Sequence, residues 1–371
     1  MNIVVTGSGG FIGRHIMEAL RRREGTHVIG IDRSATPTEV EKALSTADFV
    51  FHIAGVNRPP TPDEFQKGNA GFTEEIVRTL DRLGRKPTII FTSSIQAAAD
   101  NPYGLSKKAA EDALVAYAKK SGAGAAIFRL KNVFGKWCRP NYNSVTATFC
   151  HNIAHDLPIQ ISDESRELDL VYIDDVVADL LSVLANPPSA GAAEFREVGV
   201  SYKVTLGDMA GRIRSFRESR KTLLVPNLGD DFNRKLYATY LSYLEKNEFG
   251  YSLDQKTDPR GTLAEFVKSP ASGQIFVSRT KPGIVRGNHY HHTKTEKFLV
   301  VEGEGIIRFR PIDGTEIIEY RVSGNEFRVV DIPPGYTHSI ENVGSGEMVT
   351  LFWACEIFDP ARPDTVFLKV N

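Results

Sequence analysis

Between residue 1 and about residue 244, segments with a strand-like pattern of apolar and polar positions alternate with segments that have a helix-like pattern. Short β-branched runs alternate with amphipathic stretches, and Lys107–Lys120 keeps its apolar residues on one helical stripe. The runs that predict strands are Asn2–Thr6, His27–Asp32, Asp48–Ala54, Pro87–Ser94 and Ala125–Leu130. Strands that alternate with helices predict an α/β fold, a doubly wound parallel sheet with helices on both faces.

The pattern changes after about residue 258, where the helical period disappears. Short strand-like runs separated by turns such as Pro333-Pro334-Gly335 predict a sandwich or a barrel. These runs are Gly261–Lys268, Gly273–Thr280, Lys297–Glu302, Gly305–Arg310, Thr315–Val322, Phe327–Ile332 and Glu347–Ala354. We therefore predict two domains, residues 1–245 and 258–371, joined by a polar linker at residues 246–257.

Length and charge narrow the class of protein. A chain of 371 residues exceeds one ordinary domain of ~150 residues. Its 45 basic and 46 acidic residues nearly cancel, so a nucleic-acid partner held by bulk charge is disfavoured. No apolar run is long enough to span a membrane, and the N-terminus lacks the features of a signal peptide. The three cysteines are odd in number and far apart, which predicts reduced thiols in a cytoplasmic enzyme.

A glycine-rich turn follows the first predicted strand and opens a helix. Gly7, Gly10 and Gly13 permit a tight turn, a close approach of the backbone to a pyrophosphate, and free amides at a positive helix end. Their spacing differs by one residue from the Gly-x-Gly-x-x-Gly of ordinary dinucleotide folds. The strand before the turn and the helix after it predict a dinucleotide site, which also includes Phe11 and Ile12.

The second predicted strand ends at Asp32, and Arg33 follows it. A carboxylate at this place accepts hydrogen bonds from the adenosine ribose, whereas an arginine can pair with a 2′-phosphate. These two residues indicate different cofactors. We predict NADPH in preference to NADH, because Arg33 could stack on the adenine and hold the phosphate. The alternative is that Arg33 is a solvated loop charge.

Three residues predict hydride chemistry. Ser94 ends a predicted strand, and Tyr103 and Lys107 follow it, four residues apart on one helical face. An ammonium close to a phenol favours the phenolate, so we expect Lys107 to lower the pKa of Tyr103. Tyr103 could then give a proton to an oxygen whose carbon has just received hydride, while the Ser94 hydroxyl holds the same oxygen.

These residues resemble the extended short-chain dehydrogenase/reductase family over Met1–Leu244. The further matches are His52-Ile-Ala-Gly55, Asn69 and Arg129-Leu-Lys-Asn132-Val-Phe-Gly135. The resemblance implies a Rossmann-type fold in which Ala54 and Gly55 lie beside the cofactor. It also implies that Asn132 belongs to the nucleotide-sugar cleft.

The same resemblance implies one more site residue, and the chain departs from the family's pattern at two places. It implies that Arg166 meets the substrate pyrophosphate, the alternative being a salt bridge from Arg166 to Glu164 or Glu167. Ile95-Gln96 stands where the dehydratases of the family carry an Asp-Glu pair, which favours ketone reduction over loss of water. The link from Asp32 to Asp48 has room for a helix but hardly for the family's usual third strand.

Three histidines and a glutamate in the second half predict a metal site. His289 and His291 lie two apart on a strand and therefore face the same side, whereas His292 faces away. With Glu296 and His338 they form a donor set that suits a borderline divalent cation such as zinc. The two blocks resemble both signature motifs of the cupin β-barrel family over Asp258–Val370, except that Phe327 stands where a glycine is expected.

An extended reductase followed by a cupin resembles a narrow group of bifunctional capsular-polysaccharide reductases. The resemblance implies that the cupin inverts C3 of a UDP-2-acetamido-2,6-dideoxy-4-hexulose. The reductase would then reduce C4 with NADPH, giving a UDP-6-deoxy-L-talosamine derivative on the route to UDP-N-acetyl-L-fucosamine for capsule or O-antigen. The base at C3 is left open between water on the metal and Tyr336. A homodimer is expected, because both kinds of domain commonly pair with themselves.

Two other functions fit the sequence. The chain could be a non-catalytic dinucleotide-binding sensor or scaffold with a dimerising barrel. It could also be a reductase whose metal-binding barrel is purely structural. The complete Ser94, Tyr103 and Lys107 set argues against the first alternative, since a site without turnover has no need of all three.

Overall fold

The structure is a computed structural model that describes residues 1–371. The chain forms two compact units, each considered by itself below. The first comprises Met1–Arg214 and Lys235–Leu244, and the second comprises Ser215–Arg234 and Glu245–Asn371. None of the helices combines the length and the apolar character that crossing a membrane requires.

The first unit contains a large parallel sheet and a small mixed sheet. The strands in chain order are β1 (Asn2–Thr6), β2 (His27–Ile31), β3 (Phe49–His52), β4 (Thr88–Ser94), β5 (Ala125–Leu130), β6 (Asn132–Phe134), β7 (Glu167–Tyr172), β8 (Ala193–Arg196) and β9 (Tyr202–Thr205). The large sheet has the order β2-β1-β3-β4-β5-β8, with every pair parallel. The small sheet has the order β6-β7-β9. The predicted parallel α/β sheet is therefore confirmed.

Helices connect these strands and follow the last of them. They are α1 (Phe11–Arg21), α2 (Pro37–Thr46), α3 (Asp63–Phe65), α4 (Phe72–Leu83), α5 (Pro102–Ser121), α6 (Val145–Ala154), α7 (Ile173–Ser182), α8 (Leu206–Thr222) and α9 (Asp231–Leu241). A π-helical turn, Gln66–Gly71, joins α3 to α4, and a 3₁₀ turn, Ile95–Ala98, follows β4. The short 3₁₀ turn Lys246–Glu248 lies after α9.

Two hydrophobic cores lie on opposite faces of the parallel sheet, because successive strand residues point to opposite sides. On one face Val4 packs in a core with Leu44 of α2 and Leu114 of α5. On the other face Ile3 packs in a core with Ile16 of α1. Both faces are therefore covered by helices, which makes the sheet doubly wound and Rossmann-like.

The connection between β2 and β3 contains one helix and no strand, as the sequence predicts. Helix α2 begins at a capping box in which Thr36 and Glu39 exchange hydrogen bonds between side chain and backbone. Strand β2 consequently lies at the edge of the sheet and pairs only with β1. The edge next to Asp32 is the place where an adenosine would bind in this type of fold.

The second unit takes in a segment that the sequence analysis assigns to the first domain. Within Ser215–Arg234, the Val225 amide donates to the Lys268 carbonyl (2.8 Å), and the Lys268 amide donates to the Leu223 carbonyl (2.8 Å). The predicted linker at residues 246–257 contains regular structure at its end. Its last residues belong to a strand, Gln255–Asp258, which pairs with the strand after it.

The second unit is built from antiparallel strands. They are β10 (Gln255–Asp258), β11 (Gly261–Ser269), β12 (Gly273–Thr280), β13 (Val285–Tyr290), β14 (Glu296–Glu302), β15 (Glu304–Pro311), β16 (Ile318–Ser323), β17 (Val329–Ile332), β18 (Tyr336–Asn342), β19 (Met348–Ala354) and β20 (Val366–Phe367). They form one sheet of order β10-β11-β12-β19-β14-β17 and another of order β16-β15-β18-β13-β20. Both sheets contribute to one core, for example through Phe298, Phe352, Ile307 and Ile340.

Candidate functional site

The glycine turn has a geometry that only glycine permits at two of its positions. Gly7 has a φ of +69°, and a Cβ there would lie 2.9 Å from the Ala54 backbone. A Cβ on Gly13 would lie 2.0 Å from the Gly7 carbonyl oxygen. Gly10 precedes α1, and no side chain caps the helix at that point. The turn therefore leaves the first amides of α1 to bind an anion such as a pyrophosphate.

A cavity of ≈ 550 Å³ adjoins this turn and brings most of the predicted residues of the first domain together. The predicted residues that line it are Gly7, Gly10, Phe11, Ile12, Gly13, Ala54, Gly55, Ser94, Tyr103, Lys107 and Asn132. They come from the turn after β1 and the start of α1, from the carboxyl ends of β3 and β4, from α5 and from the start of β6. This is the edge of a parallel sheet at which doubly wound folds bind ligands.

Three other predicted residues lie outside this cavity. Asp32 lines a neighbouring cavity and accepts hydrogen bonds from the Ser8 hydroxyl (2.7 Å) and the Gly9 amide (2.9 Å). Arg33 and Arg166 are exposed and line neither cavity. The neighbouring cavity is lined by charged side chains that the sequence analysis did not single out, among them Arg14, Arg21, Arg22, Lys136, Glu18 and Asp174. Two of these cations are paired there, Arg22 with Glu18 (2.7 Å) and Lys136 with Asp174 (3.2 Å).

Ser94 and Lys107 are each held by backbone contacts. The Ser94 hydroxyl accepts from the Gln96 amide (3.2 Å) at the end of β4. The Lys107 ammonium donates to the Thr92 carbonyl (2.7 Å) and lies 4.5 Å from the centre of the Phe91 ring. Burial lowers the pKa of Lys107 to about 8, against an opposing effect of Glu111. The lysine is therefore a fixed positive group in the wall of the cavity.

The expectation that Lys107 lowers the pKa of Tyr103 is wrong for the protein without bound cofactor or substrate. Burial raises the pKa of this phenol, and a hydrogen bond with Ser94 opposes the rise only in part. The ammonium of Lys107 is directed at the Thr92 carbonyl, so desolvation dominates. The Tyr103 side chain consequently keeps its proton at neutral pH, which is the form that a proton donor needs.

A buried ion pair beneath Ser94 was not found from the sequence. Glu111 is fully buried one helical turn after Lys107, accepts from the Ser93 hydroxyl (2.6 Å), and binds Arg129 through two hydrogen bonds of 2.9 Å and 2.7 Å. The signal in the sequence is the four-residue spacing from Lys107 to Glu111, which places both on one helical face. The ion pair ties α5 to β5, and the Ser93 hydrogen bond ties the end of β4 to the same carboxylate.

We expect Glu111→Gln to lower the free energy of unfolding by about 3 kcal/mol. Removing one partner of a buried ion pair leaves the other charge uncompensated, and the lower end of the usual range applies because 35% of the Arg129 side chain is exposed. Urea unfolding would measure the loss. The matched control is Glu41→Gln, whose partner Arg82 is largely exposed and which should change stability by less than about 1 kcal/mol.

His52 and Asn69, which match the reductase family in sequence, hold neighbouring segments together through hydrogen bonds. His52 is buried between the hydroxyls of Thr6 (2.8 Å) and Thr73 (2.9 Å), and burial lowers its pKa to about 3. Asn69 accepts from the Val56 amide (2.8 Å) and donates to the Ser106 hydroxyl (2.9 Å). Both side chains therefore hold the β3 end and α5 in place around the cavity.

The predicted metal ligands converge in the second unit. One ligand atom from each of His289, His291, Glu296 and His338 lies within 4.8 Å of the others. They come from β13 and its end, β14 and β18, and the exposed His292 takes no part. A bulge precedes His289, with Asn288 at a φ of +61°.

Imidazole nitrogens of His291 and His338 in this cluster lack hydrogen-bond partners, whereas Glu296 is paired with Lys294 (3.6 Å). His291 Nε2 and His338 Nε2 lie 3.3 Å and 3.5 Å from one Glu296 oxygen, but neither is aligned for a hydrogen bond. Burial lowers the pKa of His289 to about 4, so that imidazole is neutral. Burial would raise the pKa of Glu296, but His291 and His338 hold it well below its usual range. Buried, unpaired imidazole nitrogens around a carboxylate fit a divalent cation.

Two family models match the chain. The model described as the NAD dependent epimerase/dehydratase family matches residues 3–199, and the polysaccharide biosynthesis C-terminal domain matches residues 256–366. The cavity of the first unit lies within the first match, and the four converging ligands lie within the second.

Curated and solved relatives extend over the whole chain. The UDP-2-acetamido-2,6-beta-L-arabino-hexul-4-ose reductase of Pseudomonas aeruginosa is 44% identical over 371 residues, covering 100% of this chain and 99% of the relative. The capsular polysaccharide assembling protein CapF of Staphylococcus aureus is 47% identical, with a TM-score of 0.92 and 100% of both chains covered. A UDP-glucuronic acid 4-epimerase of Bacillus cereus is 19% identical and covers 58% of this chain and 83% of its own, with a TM-score of 0.53, which shows the fold alone. The chain thus belongs to the NAD dependent epimerase/dehydratase family and, over its full length, to the CapF-like capsular polysaccharide proteins.

Proposed function

We propose that this protein is a bifunctional sugar-nucleotide enzyme. Its domain at residues 258–371 epimerises C3 of a UDP-2-acetamido-2,6-dideoxy-4-hexulose, and its domain at residues 1–245 then reduces the C4 ketone with NADPH. The observation that carries the proposal is the shared cavity of Ser94, Tyr103 and Lys107 with the glycine turn. The reductase activity named for the Pseudomonas aeruginosa relative supports the same substrate class.

The reduction needs one hydride and one proton. A nicotinamide cofactor, which membership of the family implies, supplies the hydride to C4 of the sugar. Tyr103 gives its proton to the C4 oxygen, and the Ser94 hydroxyl donates a hydrogen bond to the same oxygen. The buried ammonium of Lys107 then stabilises the phenolate that remains on Tyr103. The product is the C4 alcohol.

Arg14 in the cavity beside Asp32 supports NADPH as the cofactor. Asp32 is already bonded to Ser8 and Gly9. Arg14 lines the cavity with its guanidinium 4.6 Å from the centre of the Trp137 ring, and a guanidinium suits a 2′-phosphate. Arg33, the candidate from the sequence, is exposed outside those walls. The phosphate-binding arginine is therefore proposed to be Arg14 in place of Arg33.

We expect Arg14→Ala to raise the KM for NADPH about tenfold and to leave the KM for NADH within about twofold. A lost charge-assisted hydrogen bond of roughly 1.5 kcal/mol accounts for this effect. Initial rates with each cofactor measure it, and Arg33→Ala is the parallel variant. If only Arg33→Ala raised the KM for NADPH selectively, Arg33 would be the residue that binds the 2′-phosphate, as the sequence suggested.

The second domain is proposed to be a cupin barrel that binds a divalent metal, with zinc favoured by three imidazoles and a carboxylate. His289, His291, Glu296 and His338 would hold the ion, which supplies a Lewis acid next to the sugar. The C3 proton is acidic only while C4 is a ketone, because the negative charge left at C3 spreads onto the C4 oxygen. Epimerisation must therefore precede reduction, and reduction fixes the new stereochemistry.

Absorbance and isotope exchange test this function together. NADPH absorbance should fall when the 4-keto sugar nucleotide is supplied, and solvent deuterium should enter C3 without NADPH. A sensor or scaffold would show neither change. A reductase with a purely structural barrel would consume NADPH without deuterium at C3. Sedimentation of the purified protein tests the homodimer, which we retain as a proposal.

A further inference from the structure

The last residues of the chain pack along the strand that carries two of the proposed metal ligands. Strand β20 pairs with β13, with His289 opposite Phe367. The Leu368 amide donates to the Asn288 carbonyl (2.9 Å), on the bulge that precedes His289. We call residues 363–370 the return segment. It begins at residue 363, 72 residues after His291, yet it pairs directly with the strand that ends just before that histidine.

Asp364 in the return segment contacts His291 through its main chain. His291 Nδ1 lies 2.6 Å from the Asp364 carbonyl oxygen, and a carbonyl can only accept, so Nδ1 carries the proton. The other nitrogen, Nε2, then carries no proton and offers its lone pair within the cluster, 3.3 Å from Glu296. A hydrogen bond of this kind fixes both the tautomer and the ring orientation of a metal-binding histidine.

The Asp364 carboxylate holds the loop that joins His291 to Glu296. One oxygen accepts from the His292 amide (3.0 Å), and the other accepts from the amides of Thr293 (2.9 Å) and Lys294 (2.9 Å). The second oxygen also accepts from the Thr293 hydroxyl (3.0 Å). Four donors on three successive residues therefore converge on one side chain.

The backbone conformation of Asp364 shows that this arrangement is specific. Its φ is +32°, in a region that L-residues other than Asn and Asp rarely adopt. The conformation lets the carbonyl of Asp364 face His291 while its carboxylate faces the loop at His292–Lys294. Both contacts therefore depend on the same residue.

We propose that Asp364 is a positioning residue for the metal centre, which fixes His291 and the loop before Glu296 so that their donor atoms converge. This inference rests on the proposed metal site. Asp364 offers no ligand atom to the cluster, so it affects metal affinity through the ligands that it orients. It also explains why the ligands converge although a bulge and a loop lie between them.

The test is Asp364→Asn in the full-length protein. Asparagine tolerates the same backbone conformation and has nearly the same shape, but its side chain offers one acceptor oxygen instead of two. Its NH₂ group would face amide donors on the loop. We expect the Kd for Zn²⁺, measured by competition with a chromophoric chelator, to rise about 10- to 100-fold. The visible spectrum of the Co²⁺-loaded variant should also change, because it reports the ligand geometry.

The matched control is Asp359→Asn. The Asp359 carboxylate accepts only from the Ala361 amide (2.9 Å) and from Arg362, both in its own turn. Its Kd for Zn²⁺ should stay within about twofold of the parent. Thermal unfolding with Zn²⁺ and after the metal is stripped separates positioning from folding. Relative to the parent, Asp364→Asn should lose more stability in the presence of Zn²⁺ than in its absence. Equal Zn²⁺ affinity and an equal Co²⁺ spectrum in Asp364→Asn would overturn this inference alone. A parent that binds no Zn²⁺ would overturn the metal site as well.

Discussion

Tyr103→Phe is expected to lower kcat for NADPH oxidation about 1000-fold, because the variant cannot protonate the C4 oxygen as hydride arrives. Removal of a positioned general acid typically costs a factor of this size. Ser94 and Lys107 still line the cavity in the variant, so the KM for NADPH should change little. The assay follows NADPH absorbance with the 4-keto sugar nucleotide at saturation.

A second tyrosine of α5 provides the control for this variant. Tyr117 lies in the hydrophobic core, and its hydroxyl makes only a long contact of 3.5 Å with the Pro87 carbonyl. Tyr117→Phe should therefore keep the rate within about threefold. Deuterium uptake at C3 should be normal in both variants. Loss of that uptake in Tyr103→Phe would contradict the proposal of two separate reactions.

His289→Ala combined with His338→Ala is expected to abolish metal binding and to reduce C3 exchange at least about 1000-fold. The double variant removes two of the four donors and leaves His291 and Glu296 too few to hold a divalent cation. The Lewis acid that stabilises charge on the C4 oxygen is then lost, an effect worth several kcal/mol. Metal analysis of the purified protein and deuterium uptake by NMR measure the two losses.

The neighbouring histidine supplies the control for the metal variant. His292 is exposed beside the cluster and offers no ligand atom to it, so His292→Ala should keep both the metal and the exchange rate. NADPH oxidation with a substrate already epimerised at C3 should survive in the double variant. Full deuterium uptake at C3 without bound metal would show that the chemistry of the second domain has been assigned wrongly.

The local sequence determined a large part of this protein. Hydrophobic periodicity located Asn2–Thr6 and Ala125–Leu130 with the bounds that the structure gives. The glycine turn and the four-residue spacing of Tyr103 and Lys107 were readable for the same reason: a turn or a helical face is set by residues that are close in sequence. The donor types of the metal cluster were also readable, since imidazole and carboxylate chemistry does not depend on the fold.

Only the tertiary structure decided what distant residues do to one another. The pKa of Tyr103 rises because burial outweighs its neighbours, and burial is a property of the packed protein. Glu111 meets Arg129 across 18 residues, the Lys268 strand pairs with Leu223 and Val225, and Asp364 meets His291 across 73 residues. Such contacts depend on the order of strands in the sheet and on where the chain folds back on itself. A short window of sequence determines neither. For this reason the chemical groups of both sites could be named from the sequence, whereas the residues that orient them could be found only in the fold.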